Sequence, residues 1–162
     1  MSGQVPSRFW DESTDYGVHP ALTDDMLADC EAFLGVELPS EYVSLLRTRN
    51  GGAVAREFSA FPTSQPTSWA VDHVPFEYCH GIGADGPSIA ESPYLNSEWG
   101  QPDQLVLLHG GGHYWIALDY RGGRTTEPSV VWFDNEVSQD MTLADSFAAF
   151  LAGLVEPPPI DA

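Results

Sequence analysis

An α+β fold is predicted for this chain: a twisted, mainly antiparallel sheet packed by two N-terminal helices and one C-terminal helix. Three observations carry the prediction. Two segments with helical apolar spacing come first, strand-like runs rich in β-branched and aromatic residues follow, and one helical segment closes the chain. Strands grouped apart from helices argue against an alternating, doubly wound parallel sheet. The 162 residues fit one domain, long enough to bury roughly 70% of the surface its unfolded form exposes.

Residues 1–20 read as an arm, partly ordered through Phe9, Trp10 and Tyr16. Residues 21–155 read as the domain. The first helix spans about Asp24 to Leu34. Thr23 is placed to cap it, Asp24 and Asp25 suit its positive start, and Gly35 suits a left-handed stop. Met26, Leu27, Cys30, Phe33 and Leu34 form its apolar face. The second helix spans about Ser40 to Arg49, with Tyr42, Leu45 and Leu46 inward and Asn50-Gly51-Gly52 ending it.

Ala53–Phe58 and Trp69–Val74 are candidate strands, with Pro62 and Pro66 marking a loop between them. Ser88 to Glu91 has capping-box spacing and opens a short helix that Pro93 limits. Clearer strands follow at Leu105–Leu108, His113–Tyr120 and Ser129–Asp134. The last helix spans about Leu143 to Leu154, with Leu143, Phe147, Phe150, Leu151 and Leu154 on one face. Residues 156–162 contain three consecutive prolines and read as a solvated tail.

Charge narrows the function. Asp and Glu number 24 against 6 basic residues, all arginine, so the net charge is −18 and the pI about 4.2. Such a surface repels nucleic-acid phosphate and anionic lipid. It attracts a basic protein and speeds the encounter; the plainer effect of the same charge is solubility. Two cysteines, Cys30 and Cys79, form neither a disulfide framework nor a zinc pattern. No apolar run resembles a signal peptide or a membrane span, so a cytoplasmic location is the default expectation.

The chemical motifs thin out under inspection. His109-Gly110-Gly111-Gly112 looks like an oxyanion-hole tetrapeptide, yet no Gly-x-Ser-x-Gly elbow accompanies it and Ser88 precedes it. A glycine-rich β-turn is the simpler reading. His109 and His113 are separated by three glycines, so no helix sets their geometry for a metal. No phosphate-binding or dinucleotide motif appears. No catalytic residue, metal ligand or cofactor is therefore assigned. Among the five tryptophans, Trp115 and Trp132 lie on strands and are expected to pack inward, whereas Trp69 and Trp99 sit beside acids in less regular segments.

Taken together these residues resemble the SUKH superfamily of Smi/Knr type. The matching stretches are Leu38-Pro39-Ser40-Glu41-Tyr42, Leu45-Leu46, Asn50-Gly51-Gly52 and Gly81-Ile82-Gly83, then the strands beginning at Gly112 and Pro128, and Ala144 to Phe147 with Phe150-Leu151. The resemblance spans about Leu22 to Leu154 and departs most in residues 55–75. It implies an α+β fold, no enzyme activity, and a protein partner. Its bacterial members include immunity proteins that block toxins by direct binding, and its fungal members regulate cell-wall synthesis. Applied to an acidic chain, it implies a basic toxin domain such as a nuclease as partner; a regulatory or scaffolding role with a non-toxin protein is the alternative. The candidate partner surface is Trp69, Asp72, Glu98, Trp99, Asp134 and Glu136, with the acids steering and a tryptophan anchoring.

Overall fold

A computed structural model describes residues 8–84, 86–123 and 127–158. Helix α1 spans Asp24–Leu34. The Thr23 hydroxyl accepts from the Met26 amide at 3.1 Å, and Gly35, at φ 72°, closes the helix by donating to the Glu31 carbonyl. Helix α2, Ser40–Thr48, buries Tyr42, Leu45 and Leu46. Both helices lie where their apolar spacing predicts. Phe33 is the exception on α1: it is 65% exposed.

The next stretch is less regular than expected. Only Gly52–Ala53 forms strand β1, and 56–58 is a 3-10 turn. Strand β2 is Ala60–Pro62, β3 is His73–Pro75 and β4 is Tyr78–Cys79. They pair as two short antiparallel ribbons, β1 with β4 and β2 with β3. The expected strand over Trp69–Val74 is thus mostly loop. Proline at 66 and a turn in which Thr67 donates to the Ala70 carbonyl prevent a ladder there.

Ser88 forms the expected capping box with Glu91, over a 3-10 turn at Ile89–Glu91. Helix α3 then continues through Ser92–Glu98. Pro93 begins this helix rather than limiting it, because a first-turn residue needs no amide partner.

The main sheet is an antiparallel meander of four strands: β5 Leu105–Gly110, β6 Tyr114–Asp119, β7 Ser129–Asp134 and β8 Gln139–Ala144. Strand β8 takes the place expected of the last helix's beginning. Its side chains alternate, Met141 and Leu143 against the core and Asp140 and Thr142 exposed, a period of two that fits a strand. Leu143 accordingly belongs to β8. Helix α4, Phe147–Gly153, starts only after Ser146, whose hydroxyl accepts from the Ala149 amide.

One sheet face carries Val106, Leu108, Ile116, Leu118, Val130 and Trp132 into the principal core, with Tyr42, Phe147 and Phe150. The other carries Leu105, Leu107, Trp115, Ala117 and Val131, with Leu95 of α3 against them. Helix α3 also seals the β5 edge. Ser92 and Asn96, one turn apart, bond the Leu107 amide and the Leu105 carbonyl at 2.9 Å. An unpaired strand edge is thereby closed to outside pairing.

Both flanks of the domain end on one segment. Trp10 bridges Val54, and Val155 bridges Ala60. Phe9, 1% exposed, packs on Phe58.

Candidate functional site

The candidate residues gather at the sheet end where β6 begins. His113 and Tyr114 are neighbours in the chain, and side chains of successive extended residues face opposite ways. Tyr114 stacks on buried Trp132 with ring centroids 4.7 Å apart, and Trp69 meets Tyr114 edge-on at 5.9 Å. On the other side Trp99, just after α3, meets the His113 ring at 5.8 Å. Two tryptophans, 45% and 41% exposed, therefore flank the start of one strand. Each rests on a side chain whose backbone is anchored. The His113 carbonyl accepts from the Asn135 amide, and Tyr114 pairs with Asp134 in the ladder.

The acids divide into different roles. Glu136 is exposed and lies 3.1 Å from His113, beside Trp99. Glu98 is exposed in the last turn of α3. Asp72 is exposed, contacts His73 at 2.8 Å and lines a cleft of about 510 Å³ with Trp69, Arg56, Glu77 and Pro157. Asp134 is different: it is 1% exposed. Its carboxylate accepts from the Ser68 hydroxyl and from the Glu136 and Val137 amides. It therefore ties the Trp69 loop to the β7–β8 turn and offers no charge to a partner. Sequence reading placed it with Glu136 because both follow a strand; burial separates them.

Ser68, His113 and Tyr114 also belong to this site; by sequence His113 enters only as a metal ligand that its spacing from His109 disfavours. Tyr114 is signalled by its place beside Trp115 on an alternating strand. Ser68 carried no signal, because its partner lies 66 residues away.

The family-type motifs meet at a separate junction. The Asn50 amide nitrogen donates to the Pro20 and Ile82 carbonyls, and its oxygen accepts from the Ile82 amide. A side chain at Gly81 would lie 2.5 Å from Asn50 Oδ1, and one at Gly51 would lie 2.7 Å from the Gly81 nitrogen. Asn50-Gly51-Gly52 and Gly81-Ile82-Gly83 are thus two halves of one packed contact.

Beside it a cavity of about 180 Å³ is lined by Tyr16, Tyr78, Cys79, His80 and His109. Burial pushes the His80 pKa down to about 4 and that of His109 down to about 3. Both rings are neutral near pH 7. Neither ring nitrogen of His109 has a hydrogen-bond partner among the described residues, and no three metal-ligating side chains converge there or elsewhere among them. The Ser88 hydroxyl, the nearest candidate nucleophile, accepts from the Gly83 and Ala90 amides as a cap. His109-Gly110-Gly111-Gly112 is the end of β5 and the turn into β6. No described helix is long and apolar enough to cross a membrane.

A comparison with curated proteins returned no match. The family model described as the SMI1 / KNR4 family (SUKH-1) matches residues 21–153. That span runs from the residue before Leu22 to the end of α4 and includes both halves of the Asn50 junction. The chain belongs to the SMI1 / KNR4 family (SUKH-1).

Proposed function

We propose that this chain is a non-catalytic protein-binding domain that neutralises a toxin by direct contact, its partner being a basic domain such as a nuclease. Family membership supports an immunity-like or regulatory domain in general. The observation that carries the finer reading is the sheet end, where half-exposed Trp69 and Trp99 rest on Tyr114 and His113 with the exposed acids Asp72, Glu98 and Glu136 around them. Tryptophan on a rigid support is a frequent source of binding energy, and a net charge of −18 draws a basic partner in. The same reading places the protein in the cytoplasm, where an incoming toxin would act.

Co-expression tests it. A basic effector domain encoded beside this gene is induced with and without this chain, and growth is followed. Rescue by the wild type, lost in the Trp69→Ala/Trp99→Ala double variant, is expected. Binding without rescue to a partner that is not toxic would favour a regulatory or scaffolding role instead.

A further inference from the structure

We infer that the groove between α1 and the Ile82–Ala84 segment is a second docking surface, and that it takes a basic segment of the partner carrying one large apolar side chain. The inference rests on the reading of this chain as a protein-binding domain, but it concerns a groove whose lining includes neither Trp69 nor Trp99.

Helix α1 packs Met26, Leu27 and Leu34 partly against the core and leaves Phe33 in water. Of its residues only Cys30 is buried. Met26, Cys30 and Phe33 follow helical spacing, and the stripe they form opens onto a groove of about 710 Å³ completed by Val18, Ile82 and Ala84. Phe33, 65% exposed, stands on its rim. Phe33 and the apolar lining of the groove together form an exposed apolar patch, the kind of surface that marks an interaction site.

The charge of the rim selects the occupant. Asp29 lines the groove, and Asp25 lies one turn before it on α1. Neither has a cationic partner among the described residues; the one ion pair made by α1 there is Asp24 with Arg47 at 2.7 Å. A second copy of this chain is disfavoured, because a two-fold interface would set one acidic α1 against another. A small apolar ligand is disfavoured by shape, since such ligands are usually enclosed over roughly 70–90% of their surface and this groove leaves Phe33 open. A peptide segment lying across it satisfies both features: an apolar side chain fills the groove while lysine or arginine on either side meets Asp25 and Asp29.

The test uses the full chain, isotope-labelled for NMR, and three synthetic peptides of equal length. One is basic with a central leucine and phenylalanine, one has the same charges with alanine at those places, and one keeps the apolar pair between glutamates. The first peptide is expected to shift the signals of Met26, Cys30 and Ile82. Its affinity should fall roughly tenfold in the alanine peptide, in Phe33→Ser and in Asp29→Asn, while the melting temperature of both variants stays put. Shifts confined to the Trp69 and Trp99 end, equal binding of the alanine or glutamate peptide, or no binding at all would each overturn the inference. So would self-association relieved by Phe33→Ser, which would assign the groove to a second copy. The toxin-neutralising reading fails separately: growth rescue that persists in Phe33→Ser removes the groove alone, whereas wild-type protein that never rescues removes that reading and leaves the peptide result standing.

Discussion

The junction at Asn50 and the loop from Thr63 to Asp72 are both irregular backbone, and they are held in opposite ways. At the junction one amide side chain satisfies three backbone groups, and glycine at 51 and 81 lets two chains approach closer than any side chain permits. The loop has no such interlock. Ser68 bonds Asp134, Gln139 reaches the Pro66 carbonyl at 3.2 Å, Trp69 meets Tyr114 edge-on, and the other bonds are local ones such as that from the Thr67 amide to the Ala70 carbonyl. The junction thus builds the frame, while the loop presents Trp69.

The sharpest break of that contrast is Asn50→Ala. The two buried backbone groups of Ile82 and the part-buried Pro20 carbonyl lose their partner, at about 1–3 kcal/mol for each buried group left unsatisfied, so a loss of about 2–5 kcal/mol is expected in a urea titration. Trp69→Ala, by contrast, should cost only about 1 kcal/mol in the same titration, as for a half-exposed side chain with an edge-on contact to Tyr114. Equal costs would abolish the distinction between frame and loop.

Acid should attack the frame next. His80 and His109 pack beside the junction, with pKa values lowered by burial from 6.5 to about 4 and about 3. A histidine that must stay neutral when folded leaves stability intact above pH 6.5. Below that the unfolded chain binds the proton first, and stability falls as the pH drops toward the folded values. About 2–3 kcal/mol per ring should be lost by pH 4.5. His109→Phe, set among Phe76, Tyr78 and Tyr114, should flatten part of that slope; an unchanged slope would show that other groups cause the acid loss.

Asp134 marks where the two regions touch. Asp134→Ala should cost about 2 kcal/mol, because a buried acceptor is lost by a hydroxyl and two amides, and it should speed amide exchange in residues 66–70. Protection left unchanged there would mean that the loop is held by something else.

The smallest expected effect is at Glu136. Glu136→Gln removes an exposed charge beside His113 and should leave the melt within about 0.5 kcal/mol. It should still slow association with a basic partner at low salt, and the difference should fade as salt screens beyond about 10 Å at 0.1 M. An association rate blind to both would remove the steering role of this end.

Helices α1 and α2 and the central strands were legible because each announces itself locally. Thr23 and Gly35 bracket α1, and the β-branched and aromatic residues Val130 and Trp132 mark β7. Strand β8 was not legible. Gln139–Ala144 is half polar, and its pairing is decided by the open edge of β7, which no local window contains. The site was legible in its aromatic parts, since tryptophan beside acids in irregular segments is a recognisable pattern. Its polar supports were not, because Ser68 with Asp134 and Trp99 with His113 join residues far apart in the chain. Charge gave no warning that Asp134 would be buried while Glu136, two residues on, would not.

The double bridge onto residues 54–60 has a mechanical consequence. The segment before α1 is fastened at Val54 and the segment after α4 at Ala60, so any tension arriving from a linker or a fused neighbour on either flank is delivered to this short stretch. It reaches the central sheet only after those bridges shear. A seam of this kind isolates the rest of the domain from tugging at the flanks. In single-molecule pulling, a first small yield ahead of the main rupture would be its signature.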